Sequence, residues 1–421
     1  VNAPAALAPA DLSDPALYDG GIPHDVFAEI RATPGLCWNP MGDGGFWAVT
    51  RHADVVEVSR DTETYSSAVG HIQLYDIDAD ALDARASMID LDPPVHTRLR
   101  RLVSSAFTPK HIQGYREAIR SRTAALVDNL LAAGGGDWVR AIAAPIPIGV
   151  ICDILGVPPE DHDYMIELSD HLVAGTSDVP LDPTAYGNTI DLRLLPFDSP
   201  AAYGMSEYAR ELGEKRRGDP RDDLITKLIH AEIDGERLND AEFSNFFRLM
   251  IFAGNETTRS AMAHLALQLA AFGDEFARVN QNPALLDGAA EEVVRYSSPI
   301  LYFRRTATRD VTLSGTEVAA GDKVVMWYSA ANFDNGVFDD PLGFDVSRPS
   351  RPPNVGYGGG GAHFCLGAPL ARMELSILID ELMRRDVVID DVRDVTYVPS
   401  NFVNGIETLR TQVSSRPRRS S

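Results

Sequence analysis

Gly356-Tyr357-Gly358-Gly359-Gly360-Gly361-Ala362-His363-Phe364-Cys365-Leu366-Gly367 is the densest chemical signal in the chain. Gly356, Gly358 and Gly361 satisfy GxGxxG, but no strand-rich βαβ unit surrounds them and no acidic ribose partner follows, so a dinucleotide site is a weak reading. A phosphate-binding loop fails too, because no Gly-Lys-Ser/Thr comes next. What comes next is Cys365 and then a helical pattern from Ala368 to Met383. Cys365 therefore sits where a glycine-rich loop enters a helix N-terminus. Exposed backbone N–H groups and the positive helix end both favour a thiolate there. The glycines let a flat ligand and the loop's amides approach the sulfur closely. An isolated cysteine beside a turn is more often buried and inert, and the run of glycines before a helix start is what argues against that here.

Outward from this loop the chain has ordinary globular chemistry. Its 421 residues are 44% hydrophobic and 24% charged, with 61 acidic and 38 basic side chains and a formal charge of −23. Such an acid excess argues against nucleic acid as the main partner. Three scattered cysteines, Cys37, Cys152 and Cys365, exclude a disulfide framework and a structural zinc site and suit a reducing compartment. No stretch approaches the ~18 consecutive apolar residues of a membrane span. The start, Val1 to Pro15, has neither a basic lead nor an apolar signal core, so the reading is a soluble, cytoplasmic protein.

No internal repeat and no linker divides the chain, which reads as one large domain, mainly α with a small β portion. Phe46 to Thr50 and Val324 to Tyr328 predict short strands. Tyr115, Ile119, Leu126 and Leu130 share one face of a helix ended by Gly134-Gly135-Gly136. Asn239 and Glu242 stand at capping-box spacing before a helical pattern that runs to Phe272, on the order of 50 Å. Inside that helix, Ala253-Gly254-Asn255-Glu256-Thr257-Thr258 is an island of polarity. It reads either as a back-bonded Thr beside an exposed Glu, or as a proton relay in a helix distorted over a reactive centre.

Together these residues resemble the cytochrome P-450 family. The glycine loop is similar to its haem-thiolate signature Phe-Gly-x-Gly-x-His-x-Cys-x-Gly, with Tyr357 at the Phe position and one extra residue before the cysteine. The resemblance implies the single-domain P-450 fold over residues 21–412, between tails 1–20 and 413–421. It implies heme b (iron protoporphyrin IX) ligated by the Cys365 thiolate, whose electron density favours O–O cleavage, with His363 and Gly367 beside it. Glu256 becomes the relay acid and Thr257 the hydrogen-bond donor towards dioxygen. Glu292-Val293-Val294-Arg295 matches the family's Glu-x-x-Arg ion pair, a structural element. His96 and Arg100, one helical turn apart after Pro93-Pro94, match propionate-binding positions, as does Arg305, with Arg304 as its competitor.

The substrate pocket implied by the resemblance takes Leu249 and Ala253 from the long helix, Ile300, Leu301 and Phe303 after Arg295, and Phe402 from the turn Ser400 to Gly405. These apolar residues suit a hydrophobic substrate held by shape. The lengthened loop looks like that of bacterial members acting on sterol side chains, branched lipids or terpenoids. Residues 66–88 and 174–201, where the family varies, carry no readable signal. Electrons are expected from a ferredoxin with its reductase, or a flavodoxin-like donor, docking on a basic patch of Arg98, Arg101, Lys110, His111 and Arg372. The expected activity is O₂-dependent hydroxylation of an unreactive C–H bond. A peroxide-driven peroxygenase, a fatty-acid decarboxylase and a non-catalytic haem sensor or carrier are the alternatives.

Overall fold

Helix Asp240–Ala271 spans 32 residues, about 48 Å at 1.5 Å per residue, and organises everything around it. The computed structural model describes residues 6–42, 44–174, 181–232, 235 and 237–415. The helix starts as its sequence predicts: the Glu242 amide donates to Asn239 Oδ1 at 2.9 Å, and the Asn239 amide donates to Glu242 Oε2 at 3.0 Å. Four consecutive positions, Met262, Ala263, His264 and Leu265, are all buried, so burial runs right round it. Helices Pro145–Leu155, His162–Ala174, Ala201–Gly218 and Leu286–Ser297 pack against it. Burial all round is what makes an apolar helix a scaffold. Each fully buried large side chain contributes about 1.5–3 kcal/mol.

The predicted strands form Phe46–Val49 and Lys323–Trp327, which pair in parallel with Trp47 opposite Val324. They are the middle of a six-stranded sheet ordered Ala6–Leu7, Cys37–Asn39, Phe46–Val49, Lys323–Trp327, Tyr302–Ala307, Tyr65–Ser66. Residues 6–18, expected to lie in an N-terminal tail, are built into this layer. Ala6–Leu7 pairs with Cys37 and Trp38, the Leu12 amide donates to Asn39 Oδ1 at 2.8 Å, and Leu12 and Tyr18 are buried. A second sheet joins Val387–Tyr397, Ile406–Ser415 and Gly135–Asp137. Its middle strand passes the expected domain end at 412. Helix Arg116–Ala133 stops at Gly134, whose φ of 69° is left-handed. Residues 1–5, the basic end at 416–421 and residues 175–180 of the unread 174–201 segment lie outside the described residues.

Two features anchor the cysteine side of the fold. Arg295 and Glu292 form a bidentate pair at 2.7 Å for both contacts, with side chains 1% and 2% exposed. Arg295 also donates to the carbonyls of Asn332, Pro341 and Gly343, and Arg348 donates to Glu292. The pair thus ties helix Leu286–Ser297 to the chain that leads into the glycine loop. The second feature is helix Ala368–Arg384, whose Glu374 is 1% exposed with Oε2 lacking a hydrogen-bond partner. Burial pushes its carboxyl up to about 8, against a nearby opposing charge on Arg122.

Breaking a buried pair by removing one partner leaves an uncompensated charge, so Arg295→Ala should lose roughly 3–5 kcal/mol in denaturant unfolding. A loss under ~1 kcal/mol would place the pair in solvent. Between pH 4.5 and about 8 the native state keeps a proton on Glu374 that the unfolded chain has released, so stability falls as pH rises through this window. Glu374→Gln should therefore raise the melting temperature clearly at pH 8 and little at pH 5, read by thermal unfolding at both.

Candidate active site

The glycine loop is shaped by what it crosses. A Cβ on Gly359 would meet Ser59 Oγ at 2.6 Å and the Val55 carbonyl oxygen at 2.8 Å, and one on Gly361 would meet the Ser59 carbonyl oxygen at 2.5 Å. The loop thus lies directly on helix His52–Arg60, and Gly361 adds a φ of +76° that L side chains rarely adopt. From there the chain turns back on itself: the Cys365 amide donates to the Tyr357 carbonyl at 3.0 Å. The Tyr357 ring is buried beneath the Arg372 guanidinium, 4.3 Å from its centroid.

Cys365 precedes helix Ala368–Arg384, and the amides of Gly367 and Ala368 point at its sulfur. Burial raises the thiol pKa; those two amides and the charges of Arg100 and Arg372 act against it. The net direction is up, so for the protein alone burial outweighs the helix end that the sequence suggested as decisive. A bound cation is what ionises such a thiol outright. Cys37 and Cys152 are buried, whereas Cys365 is accessible. Among the described residues no three His, Cys, Asp or Glu side chains cluster as a metal site.

On the same side gather His96, Arg100, Arg305 and His363. The two imidazole centroids are 4.2 Å apart, and His363 Nε2 lies 3.3 Å from Ser67 Oγ. Burial, aided by neighbouring cations, lowers the pKa of both histidines, so both are neutral. Arg100 donates to the Phe364 carbonyl at 2.6 Å, and the fully buried Arg305 donates to the Arg304 carbonyl at 2.8 Å. Neither guanidinium has a carboxylate in ion-pair range among the described residues, and His96 Nδ1 is buried without a partner. Arg304, by contrast, is taken by Asp76 at 2.6 Å. Adjacent strand residues face opposite ways, which is why only one of the two arginines turns to the histidines. Two cations without a carboxylate partner, one of them fully buried, and an orphaned ring nitrogen beside an accessible sulfur fit a flat, iron-bearing macrocycle with anionic arms.

Thr257 lines a cavity together with Leu249, Phe252, Ala253, Ile300, Phe303 and Phe402. Thr257 Oγ1 donates to the Ala253 carbonyl at 2.9 Å, and the helix continues unbroken through this point. The distortion anticipated from the polar island is absent, because that carbonyl's second lone pair accepts the hydroxyl without loss of the helical ladder. Glu256 does not line the cavity. It faces helix His162–Ala174, accepting from Ser169 Oγ and Asn255 Nδ2 at 3.0 Å each, with Arg259 Nη1 at 3.4 Å. Consecutive helix residues are rotated by about 100°, so neighbours cannot share a face. Burial raises its carboxyl pKa despite Arg259.

Leu301 also departs from expectation: it is 1% exposed in the apolar core and does not line the cavity. Ile300 bridges Val403 and faces the cavity; in extended chain the next side chain must face away. Sequence reading missed Asn245, Arg248 and Phe252 as lining residues, although they share a helical stripe with Leu249 and Ala253. It also missed Ile89, Leu172 and Phe197, which arrive from distant segments with no local signal.

The whole chain is similar to known proteins by sequence and by fold. A family profile described as Cytochrome P450 matches residues 273–397. The methyl-branched lipid omega-hydroxylase of Mycobacterium tuberculosis is 37% identical over 405 residues, 93% of this chain and 91% of that protein. A steroid C26-monooxygenase of Mycolicibacterium smegmatis is 36% identical over 408 residues, 94% and 92% of the two chains. Among solved structures, a Mycobacterium marinum cytochrome P450 in complex with pseudoionone superposes with a TM-score of 0.85 at 37% identity, covering 98% of this chain and 99% of that one.

The two arginines should separate on mutation. Arg305→Ala should speed haem loss to a scavenging apoprotein roughly ten-fold or more, the worth of one hydrogen bond to a charged group. Arg304→Ala should instead lower the melting temperature through loss of the Asp76 contact and leave haem retention near the parent's. The reverse pattern would exchange their assignments.

Proposed function

The chain belongs to the cytochrome P450 family, haem-thiolate monooxygenases that hydroxylate hydrophobic substrates, and we propose that this member oxidises an unactivated C–H bond of a branched-chain or steroid-like lipid. The observation that carries this reading is the cavity between Thr257 and Phe402, walled by Leu249, Phe252, Ala253, Ile300 and Phe303. Such a wall selects by shape and keeps water from the reacting carbon. The relatives named as a lipid omega-hydroxylase and a steroid C26-monooxygenase support the same substrate class.

Haem held by the Cys365 thiolate supplies reductive activation of dioxygen. The chain's residues do the rest. The amides of Gly367 and Ala368 hold negative charge on the sulfur. Arg100, Arg305 and the His96–His363 pair would hold the haem's propionates. Thr257 Oγ1 releases the Ala253 carbonyl to donate a hydrogen bond into the cavity, within the same helical turn as Glu256. Glu256, its carboxyl pKa raised by burial, sits behind the helix, and Arg259 with Asp170 connects it to the surface, Asp170 being 44% exposed. This division puts the donor in the dry cavity and the carboxyl outside it.

Electrons come from a separate ferredoxin and its reductase. Arg100 places helix Val95–Ser104 against the carbonyl beside Cys365. On this side Arg101, Lys110 and Arg116 are exposed and form no ion pair among the described residues. Arg98 and Arg372 are engaged by Glu242 and Glu291. The docking patch is therefore narrower than the sequence suggested and centres on Arg101 and Lys110.

Thr257→Ala should fold normally, since its hydroxyl closes only a bond within its own helix. It should lower product formed per electron consumed by roughly ten-fold or more; unchanged coupling would remove Thr257 from the relay. Charge reversal at Arg101 and Lys110 should slow reduction by the ferredoxin at low salt and converge on the parent rate at high salt. Equal rates at low salt would move the docking site elsewhere.

A further inference from the structure

An apolar, shape-held ligand leaves Arg248 unexplained. This residue lines the lipid cavity from the central helix, nine positions before Thr257, yet it is only 8% exposed. A guanidinium has five N–H donors. Here one reaches Ser206 Oγ at 2.6 Å, one reaches Asn245 Oδ1, and Nε is buried with no acceptor. Among the described residues no carboxylate lies in ion-pair range of it. Of the cavity's other titratable groups Arg85 is paired, whereas Asp90 keeps one buried carboxyl oxygen, Oδ1, without a hydrogen-bond partner. Arg85 donates to the Arg193 carbonyl at 2.9 Å and pairs with Asp198 at 2.5 Å, while His71 stands 3.6 Å from Asp90, whose carboxyl Ser87 also meets. Burial holds His71 down to about 4, so it is neutral.

A buried cation without a counter-ion is costly, and filling the cavity with hydrocarbon would strip it of its remaining solvent. A ligand that brings its own negative group removes both penalties and gains charge-assisted hydrogen bonds. We propose that Arg248, with Asn245 beside it, anchors the carboxylate of an acidic lipid substrate. Resting on the lipid-hydroxylase reading above, this fixes the direction of binding. Along the helix Arg248 and Thr257 are about 13.5 Å apart. The acid end sits at Arg248 and oxidation falls on the far part of the chain, away from the carboxyl group.

The test uses the haem-loaded protein and three probes of equal chain length: palmitate, methyl palmitate and palmityl alcohol. Affinity is read from the spin-state shift of the haem absorption band, and independently from the rise in melting temperature. The parent should bind palmitate roughly 30-fold or more tighter than the ester or alcohol, the usual consequence of completing a buried charge pair. Arg248→Leu and Arg248→Gln should abolish that preference while keeping ester binding, and Arg248→Lys should restore part of it. Hydroxylated palmitate should carry its new oxygen in the half of the chain distant from the acid. Equal affinities for all three probes in the parent, or an undiminished palmitate preference in Arg248→Leu, would overturn the anchor and leave the lipid reading intact. Failure of all three straight-chain probes to bind would overturn the anchor, and binding of a branched-chain or steroid lipid then decides the lipid reading separately.

Discussion

A sulfur that must carry negative charge inside a protein sets the terms for the rest of this fold. Burial alone opposes ionisation of Cys365, and the amides of Gly367 and Ala368 answer it only in part. The iron of a haem held at this sulfur would be the cation that completes the balance. That requirement explains the neighbourhood. The loop needs glycines to lie on helix His52–Arg60, the helix Ala368–Arg384 must aim its amides at the sulfur, and Arg372 must cover Tyr357 from outside. The buried Glu292–Arg295 pair then holds the approach to this loop in one position.

The opposite wall obeys a different constraint. A cavity for hydrocarbon must be dry, while oxygen chemistry consumes protons. The central helix separates the two groups by rotation: Thr257 faces the cavity and Glu256, the next position before it, faces helix His162–Ala174 and Arg259. The same helix carries Arg248 further along, so one rigid rod presents a charged end, an apolar stretch and a hydroxyl in register. Rods make accurate rulers because their rise per residue hardly varies.

Much of this was legible in the sequence, and the reasons are local. Helix Asp240–Ala271 announced itself through its capping box and its apolar run, and helix Arg116–Ala133 through Gly134. The cysteine loop was legible because glycines in series before a helix have few other uses. Directions were harder. Whether Leu301 faces cavity or core, and which of Arg304 and Arg305 meets the histidines, depends on where the neighbouring sheet lies, which no window of sequence contains. The packing of residues 6–18 depends on Asn39 and the strand Cys37–Asn39, a contact invisible without the fold. Phe197 and Leu172 reach the cavity from segments whose own sequence is silent about it.

The central claim is the bond between the sulfur of Cys365 and haem iron, and absorption spectroscopy of the reduced protein under carbon monoxide addresses it most directly. Thiolate ligation predicts the strongly red-shifted Soret band peculiar to an anionic sulfur ligand, and its loss in Cys365→His with haem still bound. A freshly purified, haem-loaded parent whose carbon monoxide complex shows only the shorter-wavelength band of imidazole or thiol ligation would contradict the account.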